Sequence, residues 1–109
     1  MKRVGMVIGT VPEKLELYKA LHADENHPVR DILKRFHYQN FNIFITEMPD
    51  GKEYLFGYYE YTGDDFEKDD AELRALPEYA AWLSQTDPCQ IPLPGYKSWK
   101  EMERVYFLE

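Results

Sequence analysis

Tyr18 and His22 form the pair in this sequence that is best suited to a chemical role. They lie four positions apart, about one helical turn, so on a helix both polar tips project from the same face. A phenol and an imidazole that share a face can hold a hydroxylated ligand and move its protons near neutral pH. A Tyr/His stripe at this spacing is more often packing or surface than chemistry, so the spacing alone leaves both interpretations open.

Local signals predict the helix that carries this pair. Thr10 and Glu13 have the spacing of a capping box, and Pro12 lies in the first turn, where its missing N–H costs nothing. The helix is expected to run to about His22. The short apolar run over residues 4–8 that precedes it is predicted to be a buried strand.

The remaining elements are predicted from apolar periodicity and turn residues. The polar stretch of residues 23–28 ends in proline and predicts a break in the helical region. The turn Pro49-Asp50-Gly51 predicts a hairpin. The expected elements are a helix over residues 29–36, hairpin strands over 39–48 and 53–61, a helix opened by the acidic run 63–70 with Asp64 or Asp65 as its cap, a helix over 78–84, an extended connection over 88–95 and a last strand over 102–108.

This order, strand–helix–strand–strand–helix–strand, is that of the split βαβ arrangement. The sequence therefore predicts an α+β fold, a ferredoxin-like split βαβ sandwich, formed as one domain over residues 1–109. Both faces of the hairpin strands carry large apolar side chains, and a single layer of helices covers only one face. A second copy of the sheet is the simplest cover for the other face, which predicts a symmetric homodimer of the dimeric α/β-barrel type.

Charge and composition argue against several classes of function for this protein. The formal net charge of −7 argues against a nucleic-acid partner, because phosphate binding needs a basic face. It also argues against docking on an anionic membrane, and the apolar runs fall short of the roughly 20 residues that span a bilayer. The single cysteine, Cys89, offers no intramolecular disulfide, and no signal-peptide core is visible. We therefore expect a cytoplasmic enzyme or binding protein.

Neither a metal nor a cofactor is expected. The acidic run lacks a neighbouring His or Cys to complete a metal site, and a solvated helix N-terminus, where the dipole favours acids, explains it better. The three histidines are scattered, and His27 and His37 are expected to be exposed to solvent. Gly5 and Gly9 lack the remaining glycines of a dinucleotide-binding fingerprint.

Several segments occur in a familiar order: KRVGMVIGTVPEKLELYKALH at the start, then FNIF, YLFGYYE and the ending ERVYFLE. Together they resemble the L-rhamnose mutarotase family, whose members interconvert the α and β anomers of a sugar. The resemblance runs from Lys2 to the C-terminus and is weakest in the acidic stretch. It implies that His22 is the proton donor, that Tyr18 contacts the sugar, and that the protein is a dimer whose C-terminal segment reaches the partner.

Two positions depart from the family pattern. Phe41 stands where the family has a tyrosine, and Ala81-Trp82 stands where the family has two tryptophans. The resemblance therefore implies a monosaccharide site with Tyr18, Phe41, Ala81 and Trp82 as substrate-binding residues. Its substrate is expected to be L-rhamnose or a related hexose.

Mutarotation needs an acid and a base, and histidine offers both forms near neutral pH. His22 is expected to be the acid, while a water or one of Glu47, Glu53 and Glu60 serves as the second group. Two other classes stay open. One is a non-catalytic sugar-binding protein, and the other is a cofactor-free monooxygenase-like or haem-degrading enzyme of the same fold.

Overall fold

The computed structural model describes residues 1–25 and 27–109 and contains an antiparallel sheet with helices packed on one face. The strands are β1 (Lys2–Thr10), β2 (Tyr38–Glu47), β3 (Glu53–Tyr61), β4 (Gln90–Ile91) and β5 (Lys100–Met102). The helices are α1 (Leu15–Ala23), α2 (Val29–Arg35), α3 (Phe66–Ala75) and α4 (Pro77–Thr86), with 3₁₀ turns at Pro12–Lys14 and Asp87–Cys89. The break predicted over residues 23–28 falls between α1 and α2, and Asn26 within it lies outside the described residues.

β1 lies at the centre of the sheet, between β3 on one side and the short strands β4 and β5 on the other. β1 pairs antiparallel with β3, and β2 continues the sheet beyond β3. The resulting order β2-β3-β1-β4, with helices inserted after β1 and after β3, is the split βαβ arrangement. The predicted ferredoxin-like α+β fold is therefore confirmed.

A β-bulge in β2 determines which side chains face the helices. The register shifts between Gln39 and Asn42, and Asn40 inside this segment has a φ of 49°. Asparagine tolerates this left-handed conformation better than most residues. The extra residue lets Tyr38 and Phe41 both turn toward the helices, although strict alternation would place them on opposite faces.

Two clusters of buried side chains join the sheet to the helices. The first comprises Val4, Met6, Ile32, Tyr38, Tyr59, Tyr61 and Leu73, and the second comprises Ile8, Tyr18, Leu55 and Cys89. Tyr18 is therefore part of the core, which anchors α1 against the sheet. A Cβ at Gly57 would lie 2.8 Å from Met6 Cε and 3.4 Å from the Trp99 ring, so this strand glycine marks tight packing.

The capping box predicted at the start of the first helix is wrong. Thr10 is the last residue of β1, and its hydroxyl donates to the carbonyl oxygen of Glu53 on β3 at 2.8 Å. Because Thr10 still belongs to the sheet, its side chain is held away from the first helical N–H groups. The chain enters α1 through the 3₁₀ turn instead, with Val11 as N-cap and no side-chain cap.

The second helical region, α3 and α4, begins at a cap that the sequence predicts and breaks before Pro77. Asp65 caps α3 by accepting the backbone N–H of Lys68 at 3.2 Å, and Phe66 packs against the core. Leu76 leaves the helical conformation with a ψ of 129°, because the residue before a proline is driven out of the α region. Pro77 then opens α4. None of the described helices is long and apolar enough to cross a membrane.

The strand predicted over residues 102–108 is wrong. β5 covers only Lys100–Met102, and residues 103–109 are exposed and outside the sheet. Val105 is 87% exposed and Leu108 is 77% exposed, so their apolar alternation has no packing surface within one chain. The ring of Phe107 lies 4.1 Å from the Arg3 guanidinium and holds the segment near β1.

Candidate active site

A cavity of about 930 Å³ lies between the sheet and the helices. This volume is within the range of small-molecule sites, roughly 300–1,000 Å³. Of the predicted site residues, Tyr18, His22, Phe41 and Trp82 line the cavity, whereas Ala81 does not.

The ring of His22 is oriented by the backbone of its own helix. Its Nδ1 lies 2.8 Å from the carbonyl oxygen of Tyr18, and because a carbonyl can only accept, Nδ1 carries the proton. In the neutral ring, Nε2 is therefore an acceptor on the side away from that backbone. Burial lowers the pKa of His22 below 6.5, and the positive charge of Arg30 adds to this effect. The neutral imidazole is thus the main form at neutral pH.

Tyr18 lies beside His22, with their ring centroids 4.3 Å apart. The side chain is buried, and burial raises the pKa of Tyr18 to about 12. The hydroxyl oxygen accepts a hydrogen bond from Nε2 of Gln90, on β4, at 3.0 Å. Because an amide nitrogen can only donate, Tyr18 uses a lone pair in this bond and keeps its O–H for a ligand.

Trp82 on α4 forms an aromatic wall that two histidines contact. The centroid of its ring system lies 5.1 Å from that of His22 and 4.6 Å from that of His27. The prediction that His27 is exposed is wrong, since it is half-buried and lines the cavity. The cause is helix packing, because α2 contacts α4 and brings the residues just before α2 onto Trp82.

The two positions that depart from the family pattern have different surroundings. Phe41 stacks on Tyr59 with ring centroids 5.3 Å apart, and the bulge in β2 turns it into the cavity. Ala81 lies on the exposed side of α4, where its carbonyl oxygen accepts the hydroxyl of Ser84. The structure therefore brings Phe41 to the cavity with Tyr18 and leaves Ala81 outside it.

A second polar group of the cavity is centred on Asp70 of α3. Nε of Arg74 donates to one carboxylate oxygen of Asp70 at 3.0 Å, and the Tyr38 hydroxyl donates to the other at 3.4 Å. This carboxylate is therefore held by its own neighbours, and burial raises the pKa of Tyr38, so the phenol remains protonated. The group can orient hydroxyls of a ligand, and its phenol keeps its proton near neutral pH.

The glutamates considered as second proton-transfer groups do not line the cavity. Glu47 and Glu53 pair across the end of the hairpin, and Glu60 accepts the hydroxyl of Tyr58 at 2.7 Å on the sheet face away from the helices. The glutamate alternatives are therefore wrong, because hairpin position and strand alternation direct these side chains elsewhere, while a water stays open as the second group. The carboxylates in the lining belong to Asp24, Asp70, Asp87 and Glu101.

Sequence patterns alone do not reveal two residues of the site. Gln90 bonds Tyr18 across 72 positions of sequence, and no periodicity connects them. Trp99 lines the cavity and packs against both buried clusters, and its only sequence signal is a lone tryptophan after a Pro-rich segment. For His27 the available signal is its position directly before Pro28 and α2, where a side chain can bond the first helical N–H groups.

Within the described part of the chain, no group of three or more His, Cys, Asp or Glu side chains is placed to hold a metal ion. Around Trp82 the lining offers two imidazoles, a protonated phenol and an amide. Such an arrangement can bind a ring with several hydroxyls and move a proton between two of its oxygens.

A family model of L-rhamnose mutarotase matches residues 3–108. No curated protein sequence matches the chain. Among solved structures, an L-rhamnose mutarotase from Formosa agariphila has a TM-score of 0.73 at 16% identity, with all of both chains covered. Tetracenomycin F2 cyclase from Streptomyces glaucescens, a type-II polyketide cyclase, has a TM-score of 0.69 at 14% identity, also over all of both chains. A Nitrosomonas europaea protein whose name assigns it to the antibiotic biosynthesis monooxygenases has a TM-score of 0.56 at 17% identity, covering 96% of this chain and 100% of its own.

The structural matches show only that the fold is shared, because proteins named for different reactions have this fold at similar sequence identities. The family match is of another kind, since it rests on the sequence over nearly its whole length. It also covers Tyr18, His22, Phe41 and Trp82, which the fold brings to one cavity. The chain belongs to the L-rhamnose mutarotase family.

Proposed function

We propose that the protein is an aldose 1-epimerase, a sugar mutarotase that interconverts the α and β anomers of L-rhamnose or a related hexose. The observation that carries the proposal is the contact between His22 and Tyr18 in the cavity of a chain that belongs to this family.

Mutarotation opens the hemiacetal ring, lets the aldehyde rotate and closes the ring again. A proton must leave the anomeric hydroxyl and a proton must reach the ring oxygen. Both oxygens are bonded to one carbon, so a single imidazole nitrogen can serve both. Nε2 of neutral His22 takes the first proton, and the imidazolium delivers a proton to the ring oxygen. His22 thus acts as base and then as acid, which refines its assignment as an acid alone.

The neighbouring groups hold the sugar for this transfer. The Tyr18 O–H donates to a sugar hydroxyl while Gln90 fixes the phenol oxygen. The indole of Trp82 packs on the apolar face of the pyranose, and Phe41 forms the wall on β2. Ala81 has no part in this arrangement, because it lies outside the cavity.

We also propose that the active form is a homodimer, expected in the cytoplasm from charge and cysteine usage. Phe44, 66% exposed, lies on the sheet face away from the helices, and its cross-strand partner there is Phe56. The apolar side chains of residues 105–108 are also exposed. A second copy of the chain would cover these groups, whereas monomers rarely expose large contiguous apolar patches.

Saturation-transfer NMR at the anomeric protons tests the proposed activity over a panel of 6-deoxy and ordinary hexoses. Magnetisation that passes between anomers faster than in buffer supports the mutarotase. Binding without added exchange would instead identify a sugar-binding protein, and no effect of any sugar would favour the oxygenase class. A protein inactivated by heat is the control for buffer catalysis.

A further inference from the structure

We propose that His27 is a second catalytic residue of this site, which donates a hydrogen bond from Nε2 to the sugar ring oxygen as that oxygen gains negative charge. This role rests on the proposed mutarotase function and goes beyond it, since the proton transfer described above needs only His22. The observation that carries it is geometric. His22 and His27 contact the same indole while backbone groups fix their rings in opposite tautomers.

Nδ1 of His27 accepts the backbone N–H of Val29 at 3.1 Å. A backbone amide can only donate, so this nitrogen is unprotonated and the neutral ring carries its proton on Nε2. His22 has the reverse arrangement, because its Nδ1 donates to the Tyr18 carbonyl. The cavity therefore presents one imidazole nitrogen that can accept a proton and one imidazole N–H that can donate a hydrogen bond.

The surroundings hold both rings in place. Trp82 is 9% exposed and contacts both imidazoles, so one buried indole restricts the positions of both rings. Val29, which donates to His27, is buried at the start of α2 and anchors that bond to the core. The proposed role places the anomeric carbon of a pyranose packed on Trp82 beside both histidines, since both rings contact that indole.

The reaction step balances without a further reactant. Nε2 of His22 takes the proton of the anomeric hydroxyl, and the O–H bonding pair becomes the second bond of the new carbonyl. The bond between the anomeric carbon and the ring oxygen breaks, and its electron pair stays on the ring oxygen. The His27 N–H donates a hydrogen bond to this oxygen as it becomes negatively charged. The His22 imidazolium then protonates that oxygen, which yields the open-chain hydroxyaldehyde. His27 keeps its proton throughout and acts as a preorganised neutral donor.

His27→Asn is the sharpest variant for a test. An asparagine side chain can accept a backbone N–H two residues on, so the bond to Val29 is retained while the imidazole N–H is lost. Loss of one preorganised donor is expected to lower kcat for anomer exchange by about 10²-fold with little change in KM. The matched control is His37→Asn, because His37 lies outside the cavity lining and has a φ of 73° that asparagine tolerates.

The outcomes separate this role from the proposed function. A fall in kcat of about tenfold or more, with the control unchanged, supports the catalytic role of His27. A smaller fall, or an effect confined to KM, would overturn it and leave the mutarotase proposal intact. Absence of exchange in the parent protein would instead overturn the mutarotase proposal itself. Nitrogen-15 NMR spectra of the imidazoles in the parent supply a readout independent of any variant. We expect the Nε2–H tautomer at His27 and the Nδ1–H tautomer at His22. An Nδ1–H tautomer at His27 would refute its catalytic role.

Discussion

Tyr18→Phe removes a single buried hydroxyl from the site, and its effects can be estimated from the contacts. The hydroxyl accepts from Gln90 at 3.0 Å and keeps its own proton for the sugar. Its removal leaves the half-buried amide without this partner, at a cost of about 1 kcal/mol in unfolding free energy, the low end of the usual penalty. Loss of one neutral hydrogen bond to the substrate costs about 0.5–1.5 kcal/mol, which corresponds to a 2–10-fold decrease in kcat/KM.

The expected decrease is small because Tyr18 orients the sugar and does not exchange protons with it. With a pKa of about 12, the phenol of Tyr18 has a negligible ionised fraction at neutral pH. Anomer exchange rates measured over a range of sugar concentrations, together with urea unfolding, give both quantities for Tyr18→Phe, for Gln90→Leu and for the double variant. The two single effects should not add, because they remove the same bond. A decrease of about 10²-fold or more for Tyr18→Phe in a folded protein would instead make Tyr18 a proton-transfer residue.

Three further predictions concern specificity, pH and assembly. Phe41→Tyr adds a polar group to the cavity wall and should sharpen the preference for L-rhamnose over other hexoses, measured as a ratio of kcat/KM values. Ala81→Trp should leave this preference unchanged, because Ala81 lies outside the cavity. Equal effects of the two changes would contradict this assignment of the cavity lining. kcat/KM should fall on the acid side with an apparent pKa below 6.5. The unfolding free energy that His22 contributes as a buried neutral ring should be complete above pH 6.5 and be lost as the pH falls from 6.5 through the folded-state pKa. His22→Asn should lack both trends in pH-rate profiles and urea midpoints. Sedimentation should give twice the 13.0 kDa chain mass for the parent and a smaller species for Phe44→Glu, and a parent that sediments as one chain would refute the dimer.

Most of the fold could be predicted because its signals are local. Asp65 as a cap, Pro77 at the start of α4 and the turn at residues 49–51 each act within a few positions of sequence. Thr10 shows the limit of such signals. Thr10 has the spacing of a capping residue, but its hydroxyl instead donates to the carbonyl oxygen of Glu53 on β3. The alternation at the C-terminus fails for a related reason, since a strand needs a neighbouring surface that one chain does not supply.

The site could be predicted only in part, because several of its residues meet across long stretches of sequence. Tyr18 and His22 share a helix, so their spacing is informative. His27 reaches the cavity only because α2 packs on α4, and Gln90 reaches Tyr18 only because β4 pairs with the end of β1. The bulge at Asn40, which aims Phe41 inward, depends on one backbone conformation that the sequence does not specify.

The role of His22 in anomer exchange can be tested by comparing the parent with His22→Asn. His22 is held by its own helix with a proton on Nδ1 and an acceptor at Nε2, so it is the group assigned to move the proton. We expect saturation-transfer NMR to show enzyme-dependent exchange of L-rhamnose or a related hexose in the parent, and a rate lower by about 10²-fold or more in the folded variant. A folded His22→Asn protein that exchanges the anomers as fast as the parent would show that His22 does not move the proton.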